Sequence, residues 1–486
     1  MSVLRRYLPL VTLLAAITGF YLYHLDKVGV LGPDEPRYAA IGQSMAHTGD
    51  WVTPRLWGSP WFEKPPLLYW MTAAGTLAGL NPELAGRLPV VLLSLFFLGT
   101  AFALLRREFG PEAASVSVCL LATSAGWVAY SSLCLTDLPL AAFFSLAVFL
   151  ALPLLHSTKD IKGPPWRFAA IGACLGLAML AKGLVPIALA VPGVWFLRRS
   201  WRQWWLVAVF CLLAAGPWYA AVYLRNGQPF IEEFFWKHHF ERLYSPSLQH
   251  VQPWYYYFPV LVGGLFPWTP LLGLFGRSGS VWDTRRRFLL ATALFGLVFF
   301  SISLNKLPGY LLPLMPALFA LLGAQFAQRP ITELGRGWLI ACALAIACIP
   351  WLATALPDAL AAGRITALHI TRVTPTEVFY IAAPLAVLLL ARRSWTGPLL
   401  ILCIVAGGIY LKTTAYPVLD ERVSARGLWR QVRRLPGTVC DAGINRDWLY
   451  GLNFYRGNAL PACEGKRFDF ALRSEDHARP LIMNKK

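Results

Sequence analysis

LAGRLPVVLLSLFFLGTAFALLRR, residues 84–107, is the stretch that decides the fold. Its apolar part, 84–105, is long enough to cross a hydrocarbon core of about 30 Å, and it stops at the paired Arg106 and Arg107. Comparable runs recur at 8–24, 112–130, 136–155, 167–181, 183–197, 203–223, 256–275, 286–302, 309–326, 336–355, 377–391 and 396–411. A chain of 486 residues with 57% hydrophobic and 14% charged residues, and a mean hydropathy of +0.51, has too few ionisable groups to clothe a soluble globule. The expectation is an all-α polytopic membrane protein with about thirteen transmembrane helices.

The formal net charge of +19 belongs to this topology. With the N-terminus in the cytoplasm, Arg5, Arg6, Arg106, Arg107, Lys159, Lys162, Arg167, Arg198, Arg199, Arg202, Arg277, Arg285, Arg286, Arg287, Arg329, Arg392 and Arg393 all fall at cytoplasmic ends. No base-stacking module accompanies the charge, so nucleic acid is not the expected partner. The first run lacks a small-residue cleavage site and reads as a retained helix.

Three segments fall on the other side of the membrane. Residues 24–83 form a first loop with two interfacial helices expected near 35–48 and 65–79, and residues 224–255 form a second, aromatic loop. Residues 412–486 have ordinary soluble composition and read as a small α/β domain, apart from a membrane domain at 1–411. Strands are expected at TVCDAGI and FDFALRS and a helix at VSARGLWRQVRR. Such a tail is placed to cap or gate a site. Of nine cysteines, Cys119, Cys134, Cys174, Cys211, Cys342, Cys348 and Cys403 lie in or beside apolar runs. Cys440 and Cys463 lie in the tail and are expected to pair in an oxidising compartment, or to stay thiols in the cytosol.

The polar exceptions of this apolar chain gather on that same side. GPDEPRY carries Asp34, Glu35, Arg37 and Tyr38, where a carboxylate can take a proton or orient a nucleophile and an arginine can hold an anion. WFEKPP carries Glu63 and Lys64; the lysine either meets a lipid-linked phosphate, snorkels to headgroups, or pairs with Glu63. Asp137 and Lys182 stand at the ends of spans and either pair or face a cavity. FIEEFFWKHHFERL carries His238, His239 and Arg242, and one histidine with Glu63 makes a divalent-cation candidate, against ordinary interfacial histidines. Lys306 and Tyr310, in NKLPGY, can clamp a phosphate and a sugar, or Tyr310 can belong to the aromatic belt. No phosphate-binding glycine loop or dinucleotide fingerprint is present, so no nucleotide is expected.

GPDEPRYAAIGQSMAHTGDWVTPRLWGSPWFEKPPLLYW, then LTDLPL, AKGL, HHFERL and NKLPGYLLPL, resemble bacterial members of the dolichyl-phosphate-mannose protein mannosyltransferase superfamily, above all the lipid A 4-amino-4-deoxy-L-arabinose transferases. The resemblance spans roughly residues 1–330. It implies the GT-C glycosyltransferase fold in the bacterial inner membrane, with the site and the C-terminal domain periplasmic, and an undecaprenyl-phosphate sugar as donor. It implies Asp34 and Lys64 as catalytic residues, with Lys182, Arg242, Lys306 and Tyr310 in matching segments around the substrates; Glu35, Arg37, Tyr38 and Asp137 join them as substrate-binding candidates from their own positions. A zinc on Glu63 and His238 or His239, structural in character, also follows from it. The function expected is inverting sugar transfer to lipid A or a related envelope acceptor by a monomer. Competing readings are a protein glycosyltransferase with the same donor, and a flippase or transporter of polyprenyl-linked sugars.

Overall fold

The computed structural model describes residues 2–155, 163–241, 251–276, 282–328, 336–362, 374–391, 393–464, 467–474 and 479–484. Every apolar run is helical, but few of them make one straight crossing. Helix α1 (Ser2–Leu22) leads to α2 (Asp34–Thr48) and α3 (Leu67–Leu77), followed by α4 (Pro82–Phe109), α5 (Pro111–Ala122), α6 (Ala125–Ser131), α7 (Asp137–Ala151) and α8 (Pro165–Lys182). Among the described residues, five helices are long and apolar enough to cross a membrane, or up to eight if each bent pair counts as one, rather than the thirteen expected.

Local chemistry accounts for the difference. α5 and α6 bend by 65° where Thr123 and Ser124 donate their hydroxyls back to the carbonyls of Cys119 and Leu121, at 2.7 Å each. The run at 256–275 folds back by 109° at Phe266–Pro267, and the run at 183–197 breaks into Val185–Leu189 and Val191–Phe196, each with proline in its first turn. Val11–Leu22 and Pro375–Leu390 are apolar but short.

The long helices bury narrow stripes. In Trp204–Asn226 the buried positions are Ala215, Trp218 and Val222, one face at helical spacing, while Leu212, Leu213 and Leu224 are more than 60% exposed. In a membrane those apolar faces meet lipid, which explains why they need no protein cover. α2 and α3 lie beyond the spans and cross closely: a Cβ on Gly42 would come within 2.5 Å of Thr72 Cβ. Between them, Arg55–Leu56 (β1) and Ser59–Pro60 (β2) form a small antiparallel hairpin.

The tail domain starts later than residue 412. The last apolar helix runs unbroken through Arg393–Arg422, so 412–422 belongs to it, and the separate fold begins at the Ser424 cap of helix Ala425–Val432. Val439–Asp441 (β3) pairs parallel to Phe470–Arg473 (β4), which pairs antiparallel to Leu481–Asn484 (β5). The helices Ala425–Val432 and Arg446–Arg456 cover a core of Leu428, Val432, Trp448, Leu452 and Leu472. Cys440 and Cys463 form a disulfide. Arg426 fixes the domain to the membrane part, donating to the carbonyls of Asp26 and Lys27 and to Asp420, while Tyr455 donates to Glu83 at 2.9 Å.

Candidate active site

The site is built around the start of α2. Glu35, 2% exposed, accepts from Arg87 Nε and Nη2 at 2.8 Å each, from the Leu31 amide at 2.7 Å and from the Cys134 amide at 3.1 Å. The remaining donors of Arg87 reach the carbonyls of Leu25, Val28 and Gly29 at 2.6–2.9 Å. This one ion pair ties the turn after α1, the first turn of α2 and the wall of α4 together. Glu35 was expected near substrate; its carboxylate is instead consumed by this lock, because successive helical residues point about 100° apart and Asp34 takes the open side. The Asp34 side chain is 39% exposed.

Asp34, Arg37, Glu63 and Lys64 form a continuous ion-pair chain. Arg37 donates to Asp34 through Nη2, to Glu63 through Nη1 at 3.0 Å and to the Pro33 carbonyl through Nε at 3.0 Å. Glu63 in turn accepts from Lys64 Nζ at 3.0 Å. Burial works against the Arg37 charge, but Glu63 and then Asp34 outweigh it and raise its pKa above the ordinary arginine value. Burial, then Glu63, also raises the Tyr38 and Tyr69 hydroxyls well above the usual tyrosine range, so both stay protonated. Aromatic rings enclose the guanidinium: Tyr450, Trp61 and Tyr38 have centroids 5.2, 5.5 and 5.9 Å from its carbon. Two carboxylates balance two cations, so an entering anion can draw Lys64 to itself only by competing with Glu63.

A second cluster lies at the ends of α7 and α8. Lys182 Nζ meets Asp137 Oδ1 at 2.5 Å and stands 4.6 Å above the ring of Tyr310. Tyr130 borders this cluster: a Cβ on Gly309, next to Tyr310, would lie 2.8 Å from Tyr130 Cε1 and against the Asp137 carboxylate. Lys306 behaves differently from expectation. It is 4% exposed, donates to the carbonyls of Ser303 at 2.5 Å and Gln252 at 3.0 Å, and burial lowers its pKa. In this structure it braces the 303–306 turn against the second loop. Arg242 lies outside the described residues.

The metal reading rests on side chains that lie partly outside the described residues. Both oxygens of Glu63 are engaged, by Arg37 and by Lys64. Among the described residues no group of three or more His, Cys, Asp or Glu is gathered to hold an ion. His238 and His239 lie on the π-helical segment Glu232–Glu241, but their side chains lie outside the described residues.

Four participants were missed in the sequence: Trp61, Arg87, Tyr130 and Tyr450. A lone arginine inside the apolar run 84–105 is itself a signal, since a charge at such a place demands a partner. Tyr130 and Tyr450 carry no comparable mark.

Residues 63–220 match the family model described as dolichyl-phosphate-mannose-protein mannosyltransferase. An undecaprenyl phosphate-alpha-4-amino-4-deoxy-L-arabinose arabinosyl transferase from Pseudomonas fluorescens Pf-5 is 33% identical over 354 residues, 69% of this chain and 59% of its own length. A Pseudomonas aeruginosa enzyme of the same description is 34% identical over 333 residues, 65% of this chain and again 59% of its own length. The chain thus spans about three fifths of the curated relatives it matches. Among solved structures, ArnT from Cupriavidus metallidurans bound to undecaprenyl phosphate superimposes with a TM-score of 0.76 at 25% identity, over 96% of this chain and 93% of that one. The archaeal oligosaccharyltransferase AglB from Archaeoglobus fulgidus shares the fold at 13% identity and a TM-score of 0.52. The chain is thus similar in sequence to aminoarabinose transferases and similar in its polytopic GT-C-like fold to ArnT, with the dolichyl-phosphate-mannose-protein mannosyltransferase model matched over residues 63–220.

Proposed function

We propose that the chain transfers a sugar, 4-amino-4-deoxy-L-arabinose or a close relative, from an undecaprenyl-phosphate donor to lipid A or a related envelope acceptor at the periplasmic face of the bacterial inner membrane. The observation that carries this reading is the charge-balanced run Asp34–Arg37–Glu63–Lys64 at the membrane surface of a fold whose solved likeness holds undecaprenyl phosphate. The arginines at the opposite helix ends support a cytoplasmic N-terminus, an odd number of passes up to the thirteen of the charge pattern, and a periplasmic tail domain.

In the proposed step the donor phosphate takes Lys64 from Glu63, and Arg37 then carries the Glu63 charge alone. The acceptor oxygen attacks the anomeric carbon as the bond from that carbon to the phosphate oxygen breaks; the electron pair of that bond stays on the oxygen of the leaving polyprenyl phosphate, whose charge Lys64 stabilises. Attack from the opposite face inverts configuration. Asp34, the most open carboxylate of the run, takes the proton of a hydroxyl acceptor; a lipid A phosphate needs no deprotonation, and Asp34 then orients the acceptor or the donor amine. One chain suffices for this chemistry. A divalent cation is assigned no step.

Protein acceptors and transport of the donor are the competing readings. Transport would call for polar groups distributed across the membrane, whereas the ion-pair run and the Asp137–Lys182 pair sit at helix ends. The test is reconstitution of the purified chain in vesicles with undecaprenyl-phosphate aminoarabinose and lipid A, followed by mass spectrometry. A mass gain of one aminoarabinose on lipid A is the expected result. No gain on lipid A, with the sugar appearing on another glycoconjugate or protein, removes the acceptor assignment; movement of intact donor without any transfer removes the enzyme.

A further inference from the structure

Tyr450 lies on the helix Arg446–Arg456 of the C-terminal domain, yet it serves neither that domain's core nor its anchoring. The core is made by Leu428, Val432, Trp448, Leu452 and Leu472, and the anchors are Arg426 and Tyr455. The ring of Tyr450 instead faces the membrane part, 5.2 Å from the Arg37 guanidinium and 5.5 Å from the ring of Trp57. Trp57 takes φ of 48°, a left-handed conformation uncommon for a bulky residue, at the tip of the β1–β2 hairpin. A strained tip that presents an indole to a residue from a separate domain is a built contact.

We propose that Tyr450 is a positioning residue, whose ring keeps the Arg37 guanidinium in its fork between Asp34 and Glu63, so that the C-terminal domain completes the active site. This rests on the transferase reading above. The chemistry is specific to a ring face: a guanidinium is held over π density without using any of its hydrogen-bond donors, all of which remain free for the two carboxylates and the Pro33 carbonyl. When Lys64 turns to a donor phosphate, Arg37 becomes the group that keeps Glu63 and Asp34 in place, and a loosened guanidinium would let Asp34 swing from the acceptor.

The experiment compares Tyr450→Phe, Tyr450→Leu and Tyr450→Gln in the full-length protein in vesicles, reading kcat, donor KM and melting temperature. Phenylalanine keeps the ring face and should keep kcat within about twofold. Leucine and glutamine should lower kcat about 3- to 30-fold, the factor a partly desolvated cation–π contact supports, with donor KM little changed because Lys64 is untouched. Tyr450 is half-buried and outside the core, so these variants are expected to melt with the wild type; two ring-less variants guard against one that does not fold. Wild-type kcat in a folded leucine or glutamine variant overturns the proposal, as does an equal loss in the phenylalanine variant. A wild-type protein that transfers no sugar overturns the transferase reading instead, and this inference with it.

Discussion

Glu35 and Arg87 meet side-on, with two nitrogen–oxygen contacts of 2.8 Å between groups that are 2% and 4% exposed as side chains. The arrangement is a complete one: every donor of this fork has an acceptor on the turn 25–31 or on Glu35. Removing one partner leaves a buried charge with nothing opposite it. Arg87→Met should therefore destabilise the protein by about 3–5 kcal/mol, and Glu35→Gln with Arg87→Met together by less than the single arginine variant. Thermal unfolding in detergent micelles measures both; equal melting of wild type and Arg87→Met would remove the lock.

The catalytic pair makes the opposite prediction, loss of turnover with folding retained. Asp34 is partly exposed and no core depends on it, so Asn at this position should lower kcat by about 10²–10⁴ for a hydroxyl acceptor. Lys64→Ala should lower kcat, because the leaving phosphate loses its cation, and should also raise donor KM, while Glu63 keeps its pairing with Arg37. Full transfer by both purified variants would dissolve the site. The chemical difference between them is measurable in one assay by varying donor and acceptor separately.

How much of this was legible in the sequence follows from what each residue signals on its own. Apolar runs announce membrane helices because length against bilayer thickness is a one-dimensional property, and α2 and α3 were readable from polar and proline boundaries. The number of crossings was not, since a bend at Thr123–Ser124 or Phe266–Pro267 depends on where side chains return to carbonyls. Asp34, Arg37, Glu63 and Lys64 stood out as charges beside an apolar chain, and they do meet. Glu35 and Lys306 stood out equally and turned inward, because a charge near a membrane can be spent on holding loops, and sequence does not say which way a side chain faces. Tyr450 was invisible because its partner is more than four hundred residues away along the chain.

The disulfide offers a test of the tail domain by itself. It closes a sequence separation of 23 residues, from β3 across the helix Arg446–Arg456, in a domain whose core is a handful of side chains. Loop closure of that size contributes about 3 kcal/mol by restricting the unfolded chain. Replacing both cysteines by serine should lower the domain's stability by that order and raise proteolysis after residue 424, while the membrane part keeps its melting temperature. Limited proteolysis with and without reductant measures this, and an insensitive domain would mean that its docking through Arg426 and Tyr455, and not the crosslink, holds it.

Gly309 yields the sharpest single-atom prediction. It opens the 3-10 turn that carries Tyr310, and a Cβ there would fall within the van der Waals envelope of the Asp137 carboxylate and 2.8 Å from Tyr130 Cε1. The carboxylate is fixed in place: Asp137 is held by Lys182 at 2.5 Å, and Lys182 rests on the ring of Tyr310. One methyl group should therefore separate a salt bridge and shift a tyrosine together. Gly309→Ala is expected to cost at least about tenfold in transfer, or about 1.4 kcal/mol in the barrier, with a smaller change in melting temperature. Gly99→Ala, in α4 with nothing within 4 Å of its added Cβ, is the matched control and should behave as wild type. If Gly309→Ala also transfers at the wild-type rate, the Asp137–Lys182–Tyr310 cluster is a brace for the fold and has no part in the reaction.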